Sequence, residues 1–218
     1  MNRYAVPMRP GGLREMKKSQ TRQLIADTAA SLFRARGFDD VTVDEIAAVA
    51  QVSKKTVFNH FPTKEDLVFY RAEEREAMSL AAVRERAPGV SILDSFRQLC
   101  LSQTRLVAGI RRDQAHPRGF FDLVNANPSL QRKMYEVNAH LVSTLAEAVA
   151  AEAGADPDDP IPSIVASTLI GAQRALYRRL RERVAAGDDD EAVERAHHDD
   201  VRRVFDRLRD GLGDYPPR

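Results

Sequence analysis

The stretch TVDEIAAVAQVSKKTVFNHF, residues 42–61, decides the fold, because two short helices and the turn between them can be read from it residue by residue. Thr42 stands three residues before Glu45, the spacing of a capping box, in which the hydroxyl accepts the N3 amide and the carboxylate returns to the cap's own N–H. A helix is therefore predicted to begin at Val43. Val43, Ile46, Ala47 and Ala50 then recur at i, i+3, i+4 and i+7, an apolar stripe that has to be buried. Gln51-Val52-Ser53 interrupts the pattern. Ser53 suits the N-cap of a second helix that turns Val57 and Phe61 inward and leaves Lys54, Lys55, Thr56, Asn59 and His60 on the other side.

Two helices so arranged form a helix-turn-helix, whose second helix lies in the major groove with its N-terminal residues at the base edges. Lys54, Lys55 and Thr56 occupy that end. Lysine can donate to guanine O6 and N7, asparagine can pair with adenine, and a threonine methyl can pack on the thymine methyl. Cations at a helix N-terminus oppose the macrodipole, so two lysines there favour a phosphate partner. For His60, capping the small core and meeting DNA fit equally well.

Composition narrows the class. Of the 218 residues 43% are hydrophobic and 30% charged, a balance that folds. The net charge of +1 divides unevenly, +4 over residues 1–62 and −3 over the remainder, so positive charge gathers on the segment that would face phosphate. A single cysteine, Cys100, excludes an internal disulfide and is predicted to pack inside a helix. Apolar runs fall short of the roughly 18 residues of a membrane span, and no signal pattern opens the chain, so a cytoplasmic protein is expected.

Residues 1–18, with Pro7, Pro10, Gly11 and Gly12, read as a flexible basic arm. Residues 19–63 read as the helix-turn-helix domain. Its first helix runs from Ser19 to Arg36, turns Leu24, Ile25, Ala29, Leu32 and Phe33 inward, and stops at Gly37. Residues 64–218 form a second helical domain. Thr63 and Asp66 open a long helix from Lys64 to about Arg86. Four or five more helices follow, with breaks at 111–117, Asn127-Pro128, 154–162 and Gly187-Asp188. No hairpin signal occurs, and the fold class is all-α.

The last two helices, residues 161–184 and 191–212, carry broad apolar faces that could be core or could pair with a second copy across a two-fold axis. DNA geometry favours the dimer, because two reading heads spaced by about 34 to 36 Å meet successive major grooves. Leu169, Leu176, Val201, Phe205 and Leu208 are the candidate interface residues.

From about Thr21 to Leu67 the chain resembles the tetracycline-repressor (TetR) family of bacterial transcription regulators. The matching residues are the Phe33-Arg34-Ala35-Arg36-Gly37-Phe38 helix end, Thr42-Val43, Ile46-Ala47, Ala50, Val52-Ser53, Thr56-Val57, His60-Phe61 and Lys64-Glu65-Asp66-Leu67. The resemblance implies an all-helical homodimer that usually represses transcription and leaves its operator when a small effector binds the C-terminal domain. It implies that Thr42, Ser53, Lys54, Lys55, Thr56, Asn59, His60 and Lys64 meet double-stranded DNA. Phe58 departs from the tyrosine usual in the family's recognition helix and lacks the hydroxyl that could bond a phosphate.

Within residues 91–185, where an effector would bind, Phe96, Gln103, Phe120, Phe121, Asn138 and Thr168 are candidate linings, although aromatics at helical spacing more often form core. His197-His198 are adjacent and point to different sides of a helix, so no metal site is expected, nor any cofactor. Nothing resembles a nucleophile elbow or a phosphate-binding glycine loop, so no catalytic residue and no enzyme are expected. The alternative is a helical small-molecule-binding protein or enzyme with a merely structural helix-turn-helix.

Overall fold

The computed structural model describes residues 12–114 and 119–212, and every regular element among them is a helix, in agreement with the all-α expectation. Helix α1 spans Leu13–Arg36, so residues 13–18, expected in a flexible arm, are helical, while residues 1–11 of that arm lie outside the described residues. No proline or glycine interrupts the sequence from Leu13 to Arg36, which lets the helix run on. It stops at Gly37, whose φ of 99° only glycine adopts readily and whose N–H bonds the Phe33 carbonyl at 2.8 Å. The short helices α2 (Val43–Val49), α3 (Lys54–His60) and α4 (Lys64–Val68) follow.

The single helix expected from Lys64 to about Arg86 is two, α4 and α5 (Ala72–Arg84), joined by a turn in which the Ala72 N–H bonds the Phe69 carbonyl at 2.8 Å. The turn lets Leu67 and Phe69 both point inward. Beyond it lie α6 (Ile92–Leu101), a 3₁₀ segment (Ser102–Leu106), α7 (Val107–Gln114), α8 (Phe120–Ala126), α9 (Pro128–Ala153), α10 (Ile161–Ala185) and α11 (Asp190–Leu212). The breaks at Asn127-Pro128, 154–162 and Gly187-Asp188 fall where proline and glycine predicted them. The change of winding at Ser102 carries no such signal and was not foreseen.

The chain divides into two compact units, and the division is not at residue 64. One unit joins residues up to Glu73 with 113–137; the other joins 74–112 with residues from Asn138 onward. In the first, Ile25, Phe33, Phe38, Ile46, Val57, Phe61 and Leu67 are buried together with Leu123, Val124 and Leu130. The three-helix core is too small to shed enough apolar surface alone, and α8 with the start of α9 enlarges it. Lys133 adds an ion pair to Asp66 at 2.7 Å. Leu24, expected inward, is 51% exposed, and Ala26 is buried instead.

The second unit buries Ile92, Phe96, Leu99 and Cys100 of α6 against Leu145 and Val149 of α9, Val165, Leu169 and Leu176 of α10, and Val201 and Phe205 of α11. A smaller cluster joins Val107 and Ile110 of α7 to Leu180, Val184 and Val193, with Tyr177 packed on it. The buried Arg86 ties the α5–α6 turn together, donating to the Val83 and Val90 carbonyls and to Glu152 at 2.9 Å. No described helix is long and apolar enough to cross a membrane.

Candidate nucleic-acid interface

The helix-turn-helix is built as its sequence foretold. Thr42 Oγ1 accepts from the Glu45 amide at 3.2 Å, and the Glu45 carboxylate accepts from the Thr42 amide at 2.7 Å, the complete capping box. Arg36 donates to the same carboxylate at 2.7 Å and, with both Thr42 hydrogen bonds, holds it well below the usual range, at about 2. Ile46 and Ala47 of α2 and its C-cap residue Ala50 are buried. The turn closes with Val52 N–H on the Ala47 carbonyl at 2.9 Å, and Gln51 takes φ of 55°. Ser53 Oγ then accepts the Thr56 amide at 3.0 Å and starts α3. Thr63 and Asp66 form a second capping box at the head of α4.

The candidate DNA residues fall into two groups. Lys55 and Asn59 are exposed on α3, with no hydrogen bond or ion pair among the described residues, and Phe58 beside them is 41% exposed. Their donors face solvent. Lys54 is exposed too, but its Nζ lies 2.8 Å from Asp44, a bond that spans α2 and α3 and steadies one helix on the other. Thr56 is half-buried and shares a hydrogen bond with the Ser53 hydroxyl.

The others are committed to the fold. The Thr42 and Ser53 hydroxyls serve as caps. His60 is half-buried; its carbonyl accepts from Arg22, and burial first, then the charges of Arg22 and Lys18, lower its pKa. Lys64 reaches back over the rings of Phe38 and Phe33, its Nζ 4.2 Å and 5.9 Å from their centroids, and burial lowers its pKa against the pull of Asp39 and other acids. Arg22, not among the residues expected at the interface, links three elements. It lies 4.4 Å over the Phe61 ring and bonds Glu73 at 2.9 Å as well as the His60 carbonyl. Its place in an unremarkable charged run gave no signal.

The candidate effector and dimer residues disperse. Phe96 is wholly buried in closed core, and Phe120 and Phe121 stack edge-on in the N-terminal unit rather than the C-terminal one, with Phe69 against Phe120. Gln103, Asn138 and Thr168 are half-buried, and Gln103 Oε1 is enclosed with no donor. Leu169, Leu176, Val201 and Phe205 are at most 1% exposed and belong to their own unit's core, so they cannot touch a second copy. Leu208 is half-buried on the same core. Both helices bury their most apolar stripe internally.

An exposed row on the second of two short, capped helices, standing on a buried core, defines a helix-turn-helix protein that reads duplex DNA. Residues 25–70 match the bacterial regulatory proteins of the tetR family, and residues 91–213 match the MftR C-terminal domain. The chain belongs to the TetR family and is a DNA-binding transcriptional regulator. It is 29% identical over 175 residues to the regulator TcmR of Streptomyces glaucescens, covering 77% of this chain and 76% of that protein. It is 25% identical over 161 residues to the mycofactocin biosynthesis regulator MftR of Mycobacterium tuberculosis, covering 74% and 80%. A TetR-family regulator from Mesorhizobium loti shares the fold, with a TM-score of 0.53 at 22% identity over 88% of this chain and 98% of that one. GusR of Salmonella enterica also shares it, at 0.53 and 20%, over 89% and 96%.

Proposed function

We propose that the chain is a homodimeric repressor, working in the cytoplasm, whose α3 reads its operator and whose C-terminal unit binds a small effector that releases the DNA. The observation that carries the reading is the solvent-facing pair Lys55 and Asn59 on a capped, core-anchored α3, donors presented at one face with no partner among the described residues. Lys54, Thr56 and the backbone at Thr42 and Ser53 supply the flanking contacts. Lys64, held over Phe38, supports the domain and meets phosphate only by leaving the ring.

Fluorescence anisotropy with the DNA upstream of the gene tests this. Specific binding is expected to fall steeply with salt, and Lys55→Ala to weaken it and to reduce the log–log salt slope by about 0.9, one phosphate's worth of counterion. A slope unchanged by Lys55→Ala would remove Lys55 from the interface, and absence of salt-sensitive binding would remove the repressor reading.

For the dimer, the outward row of α10 replaces the buried leucines. Ile164 is 53% exposed, and Ser167, Gly171 and Ala175 continue its stripe at helical spacing. Small residues allow a second helix to approach closely, and Ile164 would lose its solvent exposure there.

A further inference from the structure

We propose that Phe58 of α3 reads a thymine in the operator by packing its ring on the C5 methyl group, so that each half-site carries one methyl that the protein requires. This deepens the operator reading of α3 and rests on it. All nine phenylalanines of the chain lie among the described residues, and eight of them are buried or half-buried. Phe58 alone is exposed, at 41%. It stands three residues after Lys55 and directly before Asn59, so helical spacing puts all three on one face, while Val57 and the C-cap Phe61 turn into the core on the other. No ring stacks on Phe58 and no cation lies over it among the described residues.

The helix that carries the ring is fixed at both ends. At its start Ser53 Oγ accepts the Thr56 amide at 3.0 Å, and Lys54 bonds Asp44 of α2 at 2.8 Å. At its end Arg22 donates to the His60 carbonyl and lies 4.4 Å over the Phe61 ring. A seven-residue helix clamped in this way presents Phe58 at a set place, and little ordering remains to be done on binding. Phenylalanine neither donates nor accepts a hydrogen bond, so it cannot read the polar pattern by which Lys55 and Asn59 would recognise guanine and adenine. The apolar group that a base edge offers in the major groove is the thymine methyl. Packing ring and methyl together removes from water a face that the free protein leaves wet. Deoxyribose is the other apolar surface of a duplex, but it lies with the phosphates at the rim of the groove. Phe58 instead shares its face with the two donors that the operator reading aims at base edges.

Anisotropy of the full chain on the upstream fragment that it protects from nuclease tests this. Deoxyuridine, which pairs as thymine does but lacks the methyl, replaces the thymines of each half-site one at a time. At one position the replacement is expected to weaken binding by the wild-type protein about fourfold per half-site, ~0.8 kcal/mol. Phe58→Ala is expected to bind the thymine duplex more weakly and to be indifferent to deoxyuridine at that same position. Phe58→Tyr keeps the ring and is expected to keep the preference; Tyr135→Ala, which removes an exposed ring of the same unit outside α3, is the control and is expected to keep it too. Comparing the two penalties isolates the contact from any change in the duplex itself. If wild type and Phe58→Ala respond alike to deoxyuridine at every position, the proposal is overturned. Phe58→Ala binding equal to wild type would also overturn it, as would a loss that is the same on both duplexes, the signature of packing on sugar. Salt-sensitive specific binding without methyl dependence sinks the thymine contact alone, whereas absence of specific binding sinks the operator reading and this contact together.

Discussion

Gln51 sits at φ 55° in the turn between α2 and α3, a left-handed conformation that strains a residue with a Cβ. The turn geometry demands it, because Val52 has to return its amide to Ala47 while Ser53 is already extended for capping. Gln51→Gly removes the strain and is expected to raise stability by about 1 kcal/mol, read as a higher urea midpoint with unchanged slope. Glu45 gives a pH signature at the same scale. Its carboxylate is depressed to about 2 from an ordinary 4.5, by the Arg36 hydrogen bond first, so its contribution is complete above pH 4.5 and is lost as pH falls toward 2. Arg36→Ala is expected to lower stability at neutral pH and to flatten the acid decline between those values. A pH series of denaturation midpoints checks it, and an unaltered decline would assign the acid loss to other carboxylates.

Among the elements, the capped helices were legible and the surfaces between helices were not. A capping box is satisfied within four residues, so Thr42 with Glu45 and Thr63 with Asp66 could be read without knowing the rest of the fold. Apolar period reports only which stripe of a helix is buried, never what buries it. Leu169, Leu176, Val201 and Phe205 therefore looked like an interface and are interior, while Lys64 and His60, polar by type, turned toward the core. The dimer face proposed for α10 is testable at Gly171, where an added Cβ would meet nothing within 4 Å among the described residues. Gly171→Leu is expected to leave helix content unchanged and to shift the sedimenting species from dimer to monomer. A dimer that persists would move the interface off this row.

For the whole molecule, the all-helical class and the reading head came through in the sequence, but the boundary between units did not. Burial of Leu123, Val124 and Leu130 beside Ile25 and Phe33 joins residues about a hundred positions apart, a long-range pairing that no local pattern encodes. The C-terminal unit has its own acid sensitivity. His197, 2% exposed, lies 2.8 Å from the Cys100 carbonyl, which can only accept, so Nε2 carries the proton of a neutral ring. Burial is the main cause of its lowered pKa; stability is full above 6.5 and falls as the pH drops through the folded value. His197→Gln, which can still donate to that carbonyl but does not titrate, is expected to remove this decline in thermal unfolding followed between pH 7 and 5. Cys100 itself, fully buried with its thiol pushed up to about 12, is inert to ordinary alkylating reagents. Because no other cysteine exists in the chain, one introduced at an exposed position of α3 would take a spin or fluorescent label selectively. The distance between the two reading heads of a dimer could then be followed directly as candidate effectors are added.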